Sequence, residues 1–539
     1  MTSLGPIFAD DLARVKPGDR LRLTISAQTS DAAALAQAAL EARARGERVL
    51  VVCADPADVP RLAQEMPWFE PKLDVRPLPD WETLPYDVLS PQEELVSERL
   101  EALYRLTAPT GGADVLLTSA VTASQRLSPV SYIGANTFFF HQGEQISLTT
   151  LQKRLAAAGY TNVKQVLAAG EFAVRGSIVD VFPMGSERPF RLDFFDDEIE
   201  SIRWFDVDTQ RSMESAEEIR LLPGHEFPVD PEALLAFRQR WRREFAGDPK
   251  KSIVYCDIEK EILPPGIKYY LPLFFDETAA LTDYLPPNAR VFLLGDIEAA
   301  LQAFGRDMAS RYKVLAADPQ RPALAPERIW LKPEEFFKSL ANFARFTVEK
   351  KENAEDLKRL SGIEVDRKSQ NPVGKLLERT RESAMKGVRT LIAAPSAGRM
   401  ETMSQLLRTG GLSVEEFPDW QTFLDADSAL GIAAAPLFSG AVFHHPEIVI
   451  LSEAELYAAS PRRHRLRRVK HATTLEMMVR DVAELKPGDA VVHADHGIGR
   501  YQGLVHMETP DGDAEFLEIT YKNDAKLFVP ITNLQLISR

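Results

Sequence analysis

Two stretches of this chain have residue types and spacing that could do chemistry, and they point in different directions. The first is the strand-like run RLRLTIS (20–26), followed by Ala27, Gln28, Thr29, Ser30 and Asp31. A strand feeding a helix is where an α/β fold cradles nucleotide phosphate, with glycines that let backbone amides approach and a lysine that supplies charge. Here the loop has neither glycine nor lysine, and Asp31 stands where phosphate would be repelled. The pattern predicts the topology of a nucleotide site without its chemistry. The second stretch is Phe190–Phe195, FRLDFF, inside the β-meander pattern of Glu171–Arg211. Side chains alternate between the faces of a strand, so Phe190, Leu192 and Phe194 share one face. Arg191, Asp193 and Phe195 share the other. A core-facing strand has no need of an aromatic on its charged face. A docking surface does, because aromatic and arginine side chains dominate binding hot spots.

Other arrangements are weaker. Ile448–Glu455, IVILSEAE, imitates a strand-plus-acid magnesium site, but without a phosphate loop it reads as an ordinary strand end. His444 and His445 have no Cys or acidic partner at metal-ligand spacing and read as a loop pair. Gly497, Gly499 and Gly503 do not spell G-x-G-x-x-G and read as turn glycines. His493 and His496 fall on a hairpin pattern. Nine histidines in 539 residues offer no evident Ser/His/Asp or Cys/His set. No catalytic residue, no metal site and no cofactor are expected in this chain.

The elements that must position these residues follow an order. Residues 20–130 alternate strand and helix: RLRLTIS, the Ala-rich Asp31–Arg45, RVLVVCA, a helix around Pro60–Met66, and ADVLLTS at 113–119. That order implies a parallel sheet with crossover helices. Residues 133–222 read as mostly β after a helical start at Leu148–Gly159. Residues 223–350 return to α/β character, with VFLLGD as a strand and KYYLPLFFD as a Pro-interrupted apolar loop. A second α/β pattern runs from about Asn371 to EIVILSE. The last 55 residues alternate as short strands with turn chemistry at Pro510-Asp511-Gly512 and Lys522-Asn523-Asp524. They suggest a small SH3- or Tudor-like antiparallel barrel.

Composition bounds the function class. At 539 residues several domains of roughly 100–200 residues are expected. The 45% hydrophobic and 27% charged content excludes wholesale disorder. No run approaches the ~18 apolar residues of a membrane span, and the N-terminus has no signal-peptide pattern. Cys53 and Cys256 lie in apolar, strand-like runs and read as buried reduced thiols of a cytoplasmic protein. The net charge of −15 argues against a protein that coats nucleic acid. Yet Pro461–Arg480 holds seven Lys/Arg against one Glu. Its core is Arg462, Arg463, Arg465, Arg467, Arg468 and Lys470. Such a run is either a solvated linker or a segment lying near DNA phosphates.

Four tracts occur in sequence order: DWETLPYD, the meander, PPGIKYYLPLFFDE, and HADHGIGRYQGL…EFLEITYKNDAKLFVPITNLQLISR. Together they resemble the N-terminal half of the transcription-repair-coupling factor family (Mfd) over nearly the whole chain. The meander alone would be compatible with UvrB. The C-terminal tract resembles the RNA-polymerase-interacting domain shared with CarD-type regulators.

The resemblance implies a multidomain α/β fold. Residues 1–132 and 223–350 would be a UvrB-like, degenerate P-loop-type α/β domain that has lost ATP binding. Residues 133–222 would be the UvrA-binding, β-rich insertion, and 360–460 a small α/β domain of unknown role. Residues 461–479 would be a basic linker and 480–539 the polymerase-binding β-barrel. The family's translocase motor, with its ATP and magnesium, and its autoinhibitory C-terminal domain would follow beyond Arg539. The UvrA surface, covered by that last domain in the family, is expected to be exposed here.

By the same resemblance, the UvrA contact falls on Arg175, Arg191 and Phe195. The residue-level alternative for Arg191 is an intramolecular salt bridge, with Asp193 or a neighbouring-strand acid. The polymerase contact is expected along an edge around Val492–Leu504, with Val492, Arg500, Tyr501 and Leu504 at the surface and Gly497 and Gly499 shaping the turn. The expected partners are UvrA, the polymerase β subunit and, weakly, double-stranded DNA, with the chain a monomer. The function implied is a non-catalytic adaptor for transcription-coupled nucleotide-excision repair. The alternatives are a UvrB-like damage-recognition helicase component and a CarD-like transcription regulator.

Overall fold

The computed structural model describes residues 4–5, 7–8, 12, 14–108, 112–366, 369, 371–457, 488–493, 497–509, 512–521, 526–530 and 537–538. The chain forms two units, Met1–Pro461 and Arg462–Arg539. The basic cluster Arg462–Lys470 lies outside the described residues.

In the first unit, six strands lie side by side in the order Arg20–Ser26, Ala344–Lys351, Arg290–Leu294, Val49–Cys53, Val115–Ser119 and Val75–Pro77. Every neighbouring pair is parallel. Arg290–Leu294, Val49–Cys53 and Val115–Ser119 are buried at every residue. Such continuous burial belongs to a parallel sheet covered on both faces. Helix Asp31–Ala44 begins after the first strand, and the Ser30 hydroxyl caps it by accepting the Ala33 N–H at 3.2 Å. Its buried alanines leave room for close packing on the sheet. Ala344–Lys351 has no counterpart among the strands read from the sequence, because Arg345, Glu349, Lys350 and Lys351 dilute its apolar pattern.

Between Val115–Ser119 and Arg290–Leu294 in the sequence, within 138–227, the chain makes a separate sheet. Its strands are, in order, Ser212–Ala216, Glu198–Phe205, Phe190–Phe195, Ile178–Val181, Glu171–Arg175 and Thr161–Asn162. All pairs are antiparallel except the last. A two-stranded antiparallel ribbon, Phe138–His141 with Glu218–Leu221, ties the entering and leaving segments together.

A smaller sheet has the order Glu415–Phe417, Leu430–Ala434, Arg389–Ala394, Glu447–Ser452 and Ala441–His444. It is parallel except for its last pair. This sheet shares a core with the first one. Trp420 lies 5.5 Å from Phe69 and 5.6 Å from Trp68, and Phe443 lies 6.3 Å from Phe69. Aromatic pairs at such separations add about 0.5–1.5 kcal/mol beyond their area burial.

Two local expectations are corrected. KYYLPLFFD is not a loop: Ile267–Leu273 forms a fully buried 3-10 helix. Cys256 is not in a strand but on helix Ile253–Glu259, half-exposed. There Val254, Tyr255 and Ile258 take the buried face at helical spacing. Cys53 is buried, and that burial pushes its thiol pKa up. Among the described residues, no helix is long and apolar enough to cross a membrane.

The tracts DWETLPYD and PPGIKYYLPLFFDE pack on each other. The Trp81 indole N–H donates to Glu226 at 2.9 Å, and Glu226 also accepts from buried Arg99 at 2.9 Å. The Lys268 ammonium lies 5.2 Å from the Trp81 ring and 4.8 Å from that of Tyr269. It donates to the Thr83 hydroxyl. Burial lowers the Lys268 pKa to about 7. A lysine whose pKa is depressed in the fold costs stability in full below about pH 7, and the cost is lost as pH rises from about 7 to 10.5. Lys268→Met is therefore expected to raise stability at pH 7 by more than about 1 kcal/mol. The gain should shrink steadily between pH 7 and pH 10.5 in paired denaturant titrations.

The second unit is a five-stranded antiparallel sheet. Its order is Lys526–Pro530, Gly512–Thr520, Gly497–Thr509, Ala490–His493 and Ile537–Ser538.

Candidate functional site

The meander positions its residues by strand alternation. Phe190, Leu192 and Phe194 are buried, while Phe195, at the end of its strand, is 70% exposed. The two arginines behave differently from a pair of free surface cations. Both converge on Asp180, a fully buried carboxylate on the intervening strand Ile178–Val181. Arg191 grips it with two bonds, Nε to Oδ1 at 2.7 Å and Nη2 to Oδ2 at 3.0 Å. Arg175 also donates to Oδ2. The remaining Arg191 nitrogen donates to the Gln210 carbonyl at 3.2 Å and the Ser212 hydroxyl at 3.1 Å. Its guanidinium lies 5.0 Å from the Phe205 ring. The hydrogen bonds that Arg191 donates to Asp180 raise its pKa further.

Arg191 therefore has the intramolecular partner that the alternative reading required, on the neighbouring strand and not at Asp193. Its side chain is only 14% exposed, whereas that of Arg175 is 48% exposed. Asp193 instead accepts from the Ser201 hydroxyl at 3.1 Å. Sequence reasoning missed two residues here. One is Asp180, whose register opposite both Ala173 and Arg191 marks it as the hub. The other is the exposed Arg203, paired directly across from Arg191 and so on the same face. Counting acids across an antiparallel meander could have found the first.

In the second unit the expected edge is corrected. Ala490–His493 pairs on one side with Gly497–Arg500 and on the other with Ile537–Ser538, so Val492, opposite Ile498 and Ser538, lies inside the sheet. Tyr501 is also not a surface residue: it is buried. Its backbone exchanges hydrogen bonds with Gly488 and Asp489. Arg500 is exposed and donates to the Gly488 carbonyl at 2.9 Å. Leu504 pairs with Leu517. Beyond Gly503 the strand pairs only with Gly512–Glu518, so among the described residues its other side carries no strand. Lys526–Pro530 forms the sheet's margin. Gly499 does not shape a turn. It sits in the strand, where a Cβ would come within 2.4 Å of the Ile519 side chain.

The weaker candidates resolve locally. His444 ends a strand and is not in a loop. Its Nε2 lies 3.2 Å from Asp356 and its Nδ1 3.7 Å from Glu447, so it does have acidic partners. No group of three or more potential metal ligands occurs among the described residues. Glu455 accepts from the Ser452 N–H and hydroxyl, both at 2.8 Å, and caps the short helix Glu453–Leu456.

Residues 138–227 match the family model of the UvrB interaction domain, 384–456 that of the MFD D3 domain, and 485–539 that of the CarD-like/TRCF RID domain. Among curated proteins, the chain is 37% identical to the transcription-repair-coupling factor of Escherichia coli (strain K12), over 91% of this chain and 43% of that protein. It is 38% identical to that of Haemophilus influenzae, over 86% and 41%. It is 24% identical to that of Bacillus subtilis (strain 168), over 83% and 39%. The chain thus spans about two-fifths of the length of these relatives.

The geometry separates a buried, bonded residue, Asp180, from an exposed one, Phe195. Removing one member of a buried, hydrogen-bonded ion pair costs about 3–5 kcal/mol, because the other charge is left without a partner. Asp180→Ala is expected to lower unfolding stability by about that amount. Phe195→Ala should stay within about 0.5 kcal/mol of the parent. Chemical denaturation of both variants checks this.

Proposed function

We propose, on the premise that the chain belongs to the transcription-repair-coupling factor family over the residues it shares with those relatives, that it is a two-site adaptor. One site would hold RNA polymerase through its β subunit, and the other would recruit UvrA for nucleotide-excision repair. The observation that carries this reading is the exposed Phe195 on the same sheet face as Arg175 and Arg203, within the stretch matching a UvrB interaction domain. In this reading Phe195 supplies apolar contact area and Arg175 and Arg203 supply charge. Arg191 holds Arg175 and Asp180 in place from below, contributing through geometry more than through direct contact.

The polymerase site would be a strand-addition surface. An exposed sheet edge offers unpaired backbone groups to an incoming strand. The arm beyond Gly503, which includes Leu504, fits that role better than Val492 or Tyr501, with Arg500 beside it. Residues 480–539 would then close as a small barrel of the CarD type. Arg462, Arg463, Arg465, Arg467, Arg468 and Lys470 would add a weak, salt-dependent attraction to DNA.

The six-stranded sheet we read as a degenerate P-loop-type domain assembled from 1–132 and 223–350, with 133–222 inserted and 360–460 appended. The sequence Ala27–Asp31 offers no phosphate-binding glycines or lysine. The reading therefore needs no ATP, metal or cofactor held by these residues, and the chain would act by binding alone.

Calorimetric titrations against UvrA and against the N-terminal lobe of polymerase β test the two sites separately. Phe195→Ala is expected to weaken UvrA binding at least about tenfold, which corresponds to about 1.4 kcal/mol, and to leave polymerase binding unchanged. Equal loss of both would defeat the two-site reading. Polymerase binding without any UvrA binding by the parent chain would favour a transcription regulator instead.

A further inference from the structure

The loop that lacks phosphate chemistry leads into an organised cluster of charge. Asp31, the first residue of helix Asp31–Ala44, is 3% exposed. Its carboxylate accepts from the Ala32 N–H at 2.9 Å. Arg61, from helix Asp58–Phe69, donates to both of its oxygens, each at 2.8 Å. The Lys350 ammonium, from the end of strand Ala344–Lys351, lies 2.6 Å from Oδ2. Arg61 spends its other N–H groups on Asp58, at 2.9 and 2.6 Å, and on Glu65 at 2.8 Å. Burial alone would raise the Asp31 pKa, but the hydrogen bonds and charge of Arg61, with Lys350, bring it to about 2. Glu65, buried with less compensation, has its pKa raised.

The position of this cluster is informative. It lies just past the carboxyl ends of adjacent parallel strands, Arg20–Ser26 and Ala344–Lys351, where open α/β sheets place their ligands. A cavity of about 150 Å³ adjoins it, several times a water's share of about 30 Å³. Its walls include Ser30, Asp31, Arg61 and Lys350 and, from the smaller sheet's side, Ser439 and Gly440. That side is fastened by three bonds. The Phe438 N–H donates to Glu65 at 3.0 Å, the Val442 N–H to the Gln28 carbonyl at 2.9 Å, and the Thr29 hydroxyl to the Val442 carbonyl at 3.4 Å.

We propose that this is an oxyanion site filled by the chain's own carboxylate: Asp31 occupies, as a covalently attached ligand, the position between Arg61 and Lys350 that a free anion would take. The donors facing it are a guanidinium edge, an ammonium and a helix amide. These are the groups that recognise a carboxylate or phosphate oxygen. Supplying the anion from the helix itself makes the site independent of any ligand. It also holds Arg61 in the orientation that carries Glu65 to the Phe438 amide, so the filled site helps fasten the smaller sheet to the larger one.

The test is chemical rescue of the whole chain. Thermal unfolding of the parent, Asp31→Ala and the double variant Asp31→Ala/Arg61→Gln is compared in sodium chloride, sodium formate and sodium phosphate at equal ionic strength. The expected result is a clear drop in midpoint for Asp31→Ala in chloride and partial recovery in formate or phosphate. Neither the parent nor the double variant should recover in this way. If Asp31→Ala does not fold in chloride, refolding yield in the three salts gives the same readout, with yield expected to rise only when an oxyanion is present. The proposal is overturned if neither anion helps Asp31→Ala more than it helps the parent. It is equally overturned if rescue persists without Arg61.

Discussion

An ionised carboxylate taken out of water loses several kcal/mol of hydration unless cations and N–H donors replace it at hydrogen-bonding distance. Asp31 and Asp180 both sit under that constraint. Each is met by two basic side chains drawn from other segments of the chain: Arg61 and Lys350 for one, Arg191 and Arg175 for the other. Much of the local geometry follows. Asp31 joins the first helix, the second helix and the last strand of the parallel sheet. Asp180 joins three consecutive strands of the meander and, through Arg191, reaches Gln210 and Ser212 on a fourth segment.

In the proposed reading, the same constraint sorts binding residues from supporting ones. An arginine whose donors are committed to a buried acid cannot also offer them freely to a partner. It can fix the slope and spacing of a surface on which other groups are exposed. On the meander those exposed groups are Phe195, Arg203 and part of Arg175. A recognition surface built this way would be held in shape before binding, which would limit the ordering entropy lost on association.

Trp68, Phe69, Trp420 and Phe443 form a shared aromatic core, and the bonds from Phe438 and Val442 close the polar margin beside it. The meander shares a core with the parallel sheet too: Phe190, Leu192 and Phe194 belong to one cluster with Leu50, Val52 and Leu116. The place where many α/β proteins bind a ligand is here used for internal contact.

The sequence by itself determined what local periodicity can encode. The alternation in FRLDFF separates Phe190, Leu192 and Phe194 from Phe195 correctly, because the period of a strand is a property of its backbone. The absent glycines and lysine of Ala27–Asp31 are likewise visible in the chain. Tertiary structure alone decided the partners. Asp180 meets Arg191 only because two antiparallel strands bring them into register, and Asp31 meets Lys350 only because the last strand lies beside the first. Val492 lies inside the sheet, and not at an edge, for the same reason. Whether a strand is an edge depends on which distant segment pairs with it, and Ile537–Ser538 pairs with Val492 and His493 from more than forty residues away. Pairing across such separations is set by the free energy of the whole packed sheet, which no short window of residues contains.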